Sequence, residues 1–437
     1  MTGHMTEQMA EPIQPAEPST TSSANPKFDL AFPNCVAPDS VEALSETVRQ
    51  CSADRISFAP IGSGTKFSWG PSLALESLRV ISTAKLDQLI DHAVGDLTVT
   101  VQAGMKFGEL QTQLKKAGQF VAIDPSYEHR ATVGGIVATG DSGALRHRYN
   151  SVRDMVLGVE LVRSDGELVK AGGRVVKNVA GYDLMKLLTG SYGTLGIVTQ
   201  VTLRLYPLQE SSQTVFLMGE ASAIAPVIQA LLNSGLTPTA IDLLSATVCE
   251  TLDLCEKSAA IKSGRGSAIG LLVRFQGLTE SVTEQVRRLS DLGQSQGLTI
   301  ALPAVLPMPE DQLWQRLGEV LTLDDSAEQV LCKWAVRSAD TVATLVHLQQ
   351  NFPESRARFH GGGGLGQVQF PSMTAAELLG LRSFVEVRGG FLTVLEAPDA
   401  LKKSMEVWGY RGNGLGWMRS IKQQFDPQGL LSPGRLG

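Results

Sequence analysis

A chain of 437 residues is long enough for two or three cores, and its 43% apolar and 19% charged residues are an ordinary globular balance. A formal charge of −6 excludes a basic surface for nucleic acid, and no apolar run reaches the roughly 18 residues of a membrane span. Cys35, Cys51, Cys249, Cys255 and Cys332 are scattered without a C-x-x-C pair, so no disulfide framework and no zinc or iron–sulfur site is encoded. With no signal-peptide pattern at the N-terminus, the cytoplasm is the expected location.

Residues 1–27 are rich in Pro, Ser, Thr, Glu and Gln without an apolar period and are expected to be a disordered tail. Val41, Leu44 and Val48 predict a helix after a capping Asp39 or Ser40. The strand-like I-S-F-A-P-I from Ile56 empties into Pro60-Ile61-Gly62-Ser63-Gly64-Thr65-Lys66. Such a loop offers consecutive backbone N–H groups and hydroxyls, which can hold a pyrophosphate. It is neither a Rossmann fingerprint, which needs glycine at Phe67, nor a P-loop, which needs G-K-[ST] where Gly64-Thr65-Lys66 stands.

L-T-V-T-V-Q-A-G predicts a strand ending at Gly104, and Lys106 to Lys116 an amphipathic helix. After Asp124-Pro125, glycine dominates the stretch from Ala131 to Pro207. Gly134, Gly135, Gly140 and Gly143 are spaced too closely for a stable helix, and Gly181, Gly190, Gly193 and Gly196 repeat the signal. Main chain is expected to approach something large and flat or phosphorylated there, a cofactor first. The alternative is a set of bulges and tight turns in an ordinary α+β domain. Within this stretch a hairpin turns at Ser164-Asp165-Gly166, and a strand from Ile197 to Leu205 is ended by Pro207. Beyond Leu208, strands at T-V-F-L-M, A-I-G-L-L-V-R-F, L-C-K-W-A-V-R, Q-V-Q-F and F-L-T-V-L-E alternate with helical patterns. That alternation implies an antiparallel sheet with helices on one face, built from two βαβ-like halves.

The motifs P-I-G-S-G-T, T-V-G-G-I-V-A-T-G-D-S-G and G-S-Y-G-T-L-G-I-V, in this order and spacing, resemble the FAD-binding domain of the vanillyl-alcohol oxidase, or p-cresol methylhydroxylase, type. The resemblance implies an α+β fold with a two-part FAD-binding domain over 28–208, an α+β cap over 209–410, and a segment over 411–437 returning to the first domain. It implies that Pro60, Ile61, Gly62, Ser63, Gly64 and Thr65 wrap the FAD pyrophosphate. Pro125, Thr132, Gly134, Gly135, Ala138, Ser142 and Gly143 would line the flavin and ribityl chain, and Gly193, Gly196, Ile197 and Val198 the adenine half. Members that attach FAD covalently often carry a His in the first loop. Ser63 and Thr65 stand here instead, which implies noncovalent FAD. The ending F-D-P-Q-G-L-L-S-P-G-R is similar to that of the D-2-hydroxyacid dehydrogenase branch, with Ser432 where Asn is usual.

Within that family, S-G-A-L-R-H-R-Y-N-S-V-R-D-M-V-L-G-V and G-G-R-V-V-K-N-V-A-G-Y-D-L-M-K-L-L-T-G-S-Y-G-T-L-G resemble the smaller FAD-binding subunits of bacterial glycolate-oxidising complexes. Catalytic subunits usually have Glu where Tyr192 stands, and carry H-x-G-D-G-N-x-H where this chain reads His360-Gly361-Gly362-Gly363-Gly364-Leu365-Gly366-Gln367. Their downstream E-H-G is replaced by Glu396-Ala397-Pro398. Oxidising a 2-hydroxy acid requires a base for the hydroxyl proton and a cation for the carboxylate. His360 is the candidate base, and Arg356, Arg358 or Arg411 the candidate cation. Against them stand a plain reading of His360 as a turn residue and of the arginines as surface or interface charges. One His with Glu396 is too few ligands for a metal. The resemblance implies an FAD-bearing subunit that oxidises glycolate or D-lactate beside a catalytic flavin subunit and an iron–sulfur subunit, reaching a membrane through them. A self-sufficient FAD-dependent D-2-hydroxyacid dehydrogenase and a non-catalytic structural flavin subunit remain as alternatives.

Overall fold

The computed structural model describes residues 34–173, 183–254, 268–302, 306–323, 328–410 and 412–436. The expected tail and Arg411 lie outside them. A small parallel sheet of β1 (Cys35–Val36), β2 (Phe58–Ile61) and β3 (Arg79–Ser82) runs in the order β1-β3-β2. The helix Val41–Ala53 is capped by Ser40, whose Oγ accepts from Ala43 N at 3.2 Å. Leu44, Val48 and Cys51 recur one helical turn apart, so they share a face and bury against Phe58 and Ile81 of this sheet.

The strands β4 (Leu89–Ala93), β5 (Thr98–Gln102), β7 (Val156–Val162), β8 (Leu168–Gly172) and β9 (Ile197–Arg204) form an antiparallel sheet ordered β4-β5-β9-β7-β8. The β7–β8 hairpin turns where the sequence places it, with Gly166 at φ +81°. A short pair, β6 (Gln119–Phe120) with β10 (Tyr206–Pro207), sits beside it, so Pro207 belongs to a strand of its own rather than simply ending β9.

One expectation is corrected here. Gly134 and Gly135 lie inside a helix, Val133–Thr139, capped by Thr132 and closed by Gly140 in the left-handed region. The glycines serve close packing rather than helix breaking: a Cβ on Gly134 would stand 2.7 Å from that of Ala103, at the end of β5. Anchoring bonds from Val133 N to Met105 O and from Gly134 N to Ala103 O, 2.9 and 2.8 Å, offset the entropic cost of glycine in a helix.

The second half is an eight-stranded antiparallel sheet made of β11 (Ser211–Glu220), β12 (Ala240–Leu244), β13 (Ala268–Gly277), β14 (Thr299–Ala301), β15 (Val330–Ala335), β16 (Arg356–His360), β17 (Leu365–Phe370) and β18 (Phe391–Glu396). Its order, β14-β11-β13-β12-β16-β17-β15-β18, makes each half a β-α-β-β-α-β unit, joined through β12 and β16. That is two strands more per half than a βαβ. The strands not expected from the sequence are β12, β14 and β16, and in β16, R-A-R-F-H, alternate charge hides the strand. His360 ends this strand, and its carbonyl accepts from Gly363 N and Gly364 N, at 3.1 and 3.0 Å, in the turn that follows.

Side chains alternate across a strand, so Ile241, Leu243, Cys332, Trp334, Ala357, Phe359 and Val368 face one way, toward helices such as Ala221–Asn233 and Thr279–Ser295. Phe216, Leu244, Leu272, Leu331 and Leu395 face the other way and share a core with Val99, Val137 and Val201 of the first half. The residues between them on that second face, Asp242, Lys333, Arg358, His360 and Gln367, are thereby carried to the junction of the two halves.

Candidate functional site

The loop after β2 is fixed at both ends. Thr83 N donates to Ile61 O at 2.8 Å, and Phe67 N to Gly64 O at 3.1 Å. Between them, the N–H groups of Ser63, Gly64 and Thr65 make no hydrogen bond among the described residues, and the buried Ser63 Oγ has no partner there. Gly64 needs its φ of +78°. Gly62 leaves no room at all, since a Cβ would come 2.1 Å from Thr132 Oγ1. Unpaired donors on a buried turn are costly in a folded chain and suit an anionic, phosphorylated ligand.

A cleft of about 100 Å³ opens on this loop and is lined by Pro60, Ile61, Gly62, Ser63, Gly64, Thr65, Thr132, Gly134, Gly135, Ala138, Gly193, Gly196, Ile197 and Val198. These are residues of three separate motifs. A wider cleft of about 420 Å³ shares Ile61 to Thr65 and extends past Tyr127, Glu396 and Lys402. The G-S-Y-G turn is held to the Val133–Thr139 helix by Tyr192 N donating to Ala138 O at 2.7 Å. Gly193, at φ +68°, packs so closely that a Cβ would meet Pro60 Cγ at 2.6 Å. Lys66, Thr83, Tyr192 and Arg435 also line the first cleft and were not among the expected FAD contacts. Burial lowers the Lys66 pKa, opposed by Asp141 Oδ2 at 3.1 Å, and burial raises that of the Tyr192 phenol.

Residues 430–435 complete this loop from behind. Leu431 bridges Phe58, and Ser432 Oγ donates to Gly193 O at 2.9 Å, so serine supplies the polar contact at that position. The Arg435 guanidinium donates to the carbonyls of Phe67, Trp69 and Pro71 at 2.7, 2.5 and 2.9 Å. Burial brings its pKa down to about 10.

Ser142 and Gly143 line a different space, a cavity of about 20 Å³ with Asp124, Ser126, Asp141, Lys333, Arg358, His360 and Gln367. Gly143 is required because Asp124 crowds it: Ala144 N and Leu145 N donate to the Asp124 carboxylate at 2.7 and 3.1 Å. Burial raises the Asp124 pKa, with Arg358 working against it. Pro125 is buried beside this cavity and lines neither space. Arg358 is not a free cation. Its Nε and Nη2 lie 2.8 and 2.7 Å from Asp242 Oδ2, and its Nη1 donates to Leu317 O at 3.2 Å. The other carboxylate oxygen, Asp242 Oδ1, is 2.7 Å from His360 Nδ1. Arg356 starts β16 outside the cavity lining.

Lys333 differs from its neighbours. It projects from β15 beside Gln367, its partner in register on β17, and makes no hydrogen bond or ion pair among the described residues. Burial lowers its pKa and the field of Asp141 opposes this. A half-buried ammonium without a counterion is costly, and an arriving anion would supply one. Asp242 and Lys333 were missed in the sequence, although each is a single charge inside an apolar strand, A-I-D-L-L and V-L-C-K-W-A. No group of three or more His, Cys, Asp or Glu side chains that could hold a metal occurs among the described residues. None of the described helices is long and apolar enough to cross a membrane.

Comparison with known proteins agrees with this geometry. A family model described as FAD binding domain matches residues 33–172, and one described as FAD linked oxidases, C-terminal domain matches residues 402–436. The chain is 25% identical to glycolate oxidase subunit GlcD of Bacillus subtilis (strain 168), over 94% of this chain and 90% of that one. It is 34% identical to glycolate oxidase subunit GlcE of Escherichia coli (strain K12), over 40% of this chain and 49% of that one. Among solved structures, p-cresol methylhydroxylase with substrate bound superposes with a TM-score of 0.71 over 92% of this chain and 88% of that one, at 16% identity, a likeness of fold.

Proposed function

We propose that this chain, an FAD-dependent oxidoreductase carrying the FAD-binding and C-terminal domains of the FAD-linked oxidases, acts on a small 2-hydroxy acid, glycolate or D-lactate, to give the 2-oxo acid. It does so as the FAD-bearing subunit of a glycolate-oxidising complex, beside a catalytic flavin subunit and an iron–sulfur subunit. The complex is cytoplasmic and reaches a membrane through its partners.

One observation carries the substrate class: the unpaired Lys333 and the imidazole of His360 line the same cavity, next to Ser142 and Gly143 of the glycine-rich stretch. Lys333 receives the carboxylate, and His360 takes the hydroxyl proton. The Pro60–Thr65 loop and the Thr132–Ala138 segment hold FAD noncovalently. When bound, FAD supplies the two-electron acceptor for the C2 hydrogen. Arg358 is committed to Asp242 and positions rather than binds.

The subunit reading draws support from size and from resemblance. About 20 Å³ holds about one water, less than a 2-hydroxy acid needs. The self-sufficient dehydrogenase is favoured by one feature, the complete Asp242–His360 pair. Assays with an artificial electron acceptor on the chain alone and on the reconstituted set separate the two. Poor turnover alone with recovery in the set supports the subunit; full turnover alone, lost in His360→Ala, establishes the self-sufficient enzyme. An FAD absorbance unchanged by anaerobic glycolate and D-lactate in both preparations would overturn the substrate class.

A further inference from the structure

The pairing of β12 with β16 sets Asp242 opposite His360 and Leu244 opposite Arg358. Because side chains alternate, Asp242, Arg358 and His360 emerge on one face, although 116 and 118 residues separate Asp242 from its two partners. Asp242 is wholly buried. Both of its oxygens are used, Oδ1 by His360 Nδ1 and Oδ2 by the Arg358 guanidinium. A carboxylate can only accept, so the hydrogen in the 2.7 Å contact belongs to Nδ1 and the lone pair of the neutral ring belongs to Nε2.

Burial alone would raise the Asp242 pKa. The Arg358 and His360 charges outweigh it and hold the carboxyl below the usual range, so it stays ionised. Other titratable groups lie around this ring: Asp124 from the segment before the Val133–Thr139 helix and Asp141 just after it, Lys333 from β15, and His147 from the Arg146–Tyr149 helix. His147 is close enough that a Cβ on Gly362 would stand 2.3 Å from its Nδ1, and burial lowers its pKa. Among the described residues Asp242 is the one group that hydrogen-bonds the His360 ring, and the arrangement matches the orienting partner that a histidine base needs.

We propose that Asp242 is the positioning residue of the base: it fixes His360 in the tautomer with Nε2 open and balances the charge when Nε2 accepts a proton, while Arg358 keeps Asp242 ionised. This rests on the 2-hydroxy-acid reading above for the identity of the proton, which is the substrate's hydroxyl proton and ends on Nε2. The hold of Asp242 on the ring does not depend on that identity.

Two measurements on the full chain loaded with FAD test it. Nitrogen-15 spectra of labelled histidines, assigned with His360→Gln, report the tautomer: Nδ1–H in the native chain, lost in Asp242→Asn, whose amide can donate to Nδ1 and favour Nε2–H. Single-turnover flavin reduction by excess D-lactate, alone and in the reconstituted set, should fall about 100-fold or more in Asp242→Asn with KM changed less than about threefold, and Asp242→Glu should recover part of it. Nε2–H in the native chain, or an Asp242→Asn spectrum like the native one, overturns the proposal. The native spectrum needs no variant, so misfolding of Asp242→Asn cannot shield it. If no 2-hydroxy acid reduces the flavin, the functional reading falls while the spectra still decide the positioning role.

Discussion

The cleft around Pro60–Thr65 and the cavity beneath β12 and β16 lie on the same structural junction but are built from opposite materials. The cleft is main chain: glycines at 62, 64, 134, 193 and 196 remove side chains so that backbone can come close. The cavity is charge: Asp124, Lys333, Arg358 and His360 line it, and Asp242 pairs with Arg358 and His360. The difference teaches where each is fragile. A backbone site fails when an atom is added, and a charged site fails when one is taken away.

The largest effect is expected from adding to the cleft. Gly64→Asp places a side chain at φ +78° and a negative charge against the turn proposed to hold the pyrophosphate, and FAD should be absent from the purified protein by absorbance. Gly64→Ala adds only strain of about 1–2 kcal/mol and should keep much of its FAD. Full occupancy in the aspartate variant would remove the loop from the binding site.

Taking away from the cavity should rank next. Arg358→Ala strands Asp242 as a buried, uncompensated carboxylate, and a loss of about 3–5 kcal/mol in chemical denaturation is expected, with FAD still bound in the folded fraction. An unchanged midpoint would mean that Arg358 is not the counterion.

Lys402 sharpens the comparison through pH. Its Nζ donates to Ser68 O, and burial brings its pKa down to about 8 from 10.5. Between those values the unfolded chain binds more protons than the folded one, so stability should rise with pH, by about 1–3 kcal/mol in all. Lys402→Met should flatten that slope; a parallel slope in the variant assigns it elsewhere. The smallest effect belongs to Ser432→Ala, which loses the bond to Gly193 O and should cost about 1 kcal/mol by thermal or urea midpoint, with little change in FAD content.

How far each region could be read in advance follows from the same contrast. The cleft's motifs are short and local, and fourteen of the proposed FAD residues meet in one place because each loop carries its own glycine signature. What the motifs concealed was the Val133–Thr139 helix, since glycine chosen for approach to Ala103 looks like glycine chosen for a turn. The cavity depends on strand register. His360 and Arg358 were visible as chemistry, but their partner Asp242 stands 118 and 116 residues away, and only the β12–β16 pairing places them together. Lys333 acquires its meaning from burial without a partner, a property no local pattern contains.

The contacts from residues 430–435 to β2 and its loop carry a consequence for biosynthesis. Phe58 pairs with Leu431 at the open edge of the small sheet, and Arg435 reaches back 364 to 368 residues to hold the carbonyls of Phe67, Trp69 and Pro71. At about 5–20 residues per second, a ribosome leaves that strand edge bare for roughly 20 to 70 seconds. Until then the nascent chain presents an unpaired parallel edge to its surroundings. The proposed flavin cradle is therefore complete only after both halves have emerged, which would make cofactor loading a late event in the life of the polypeptide rather than a companion of its first domain.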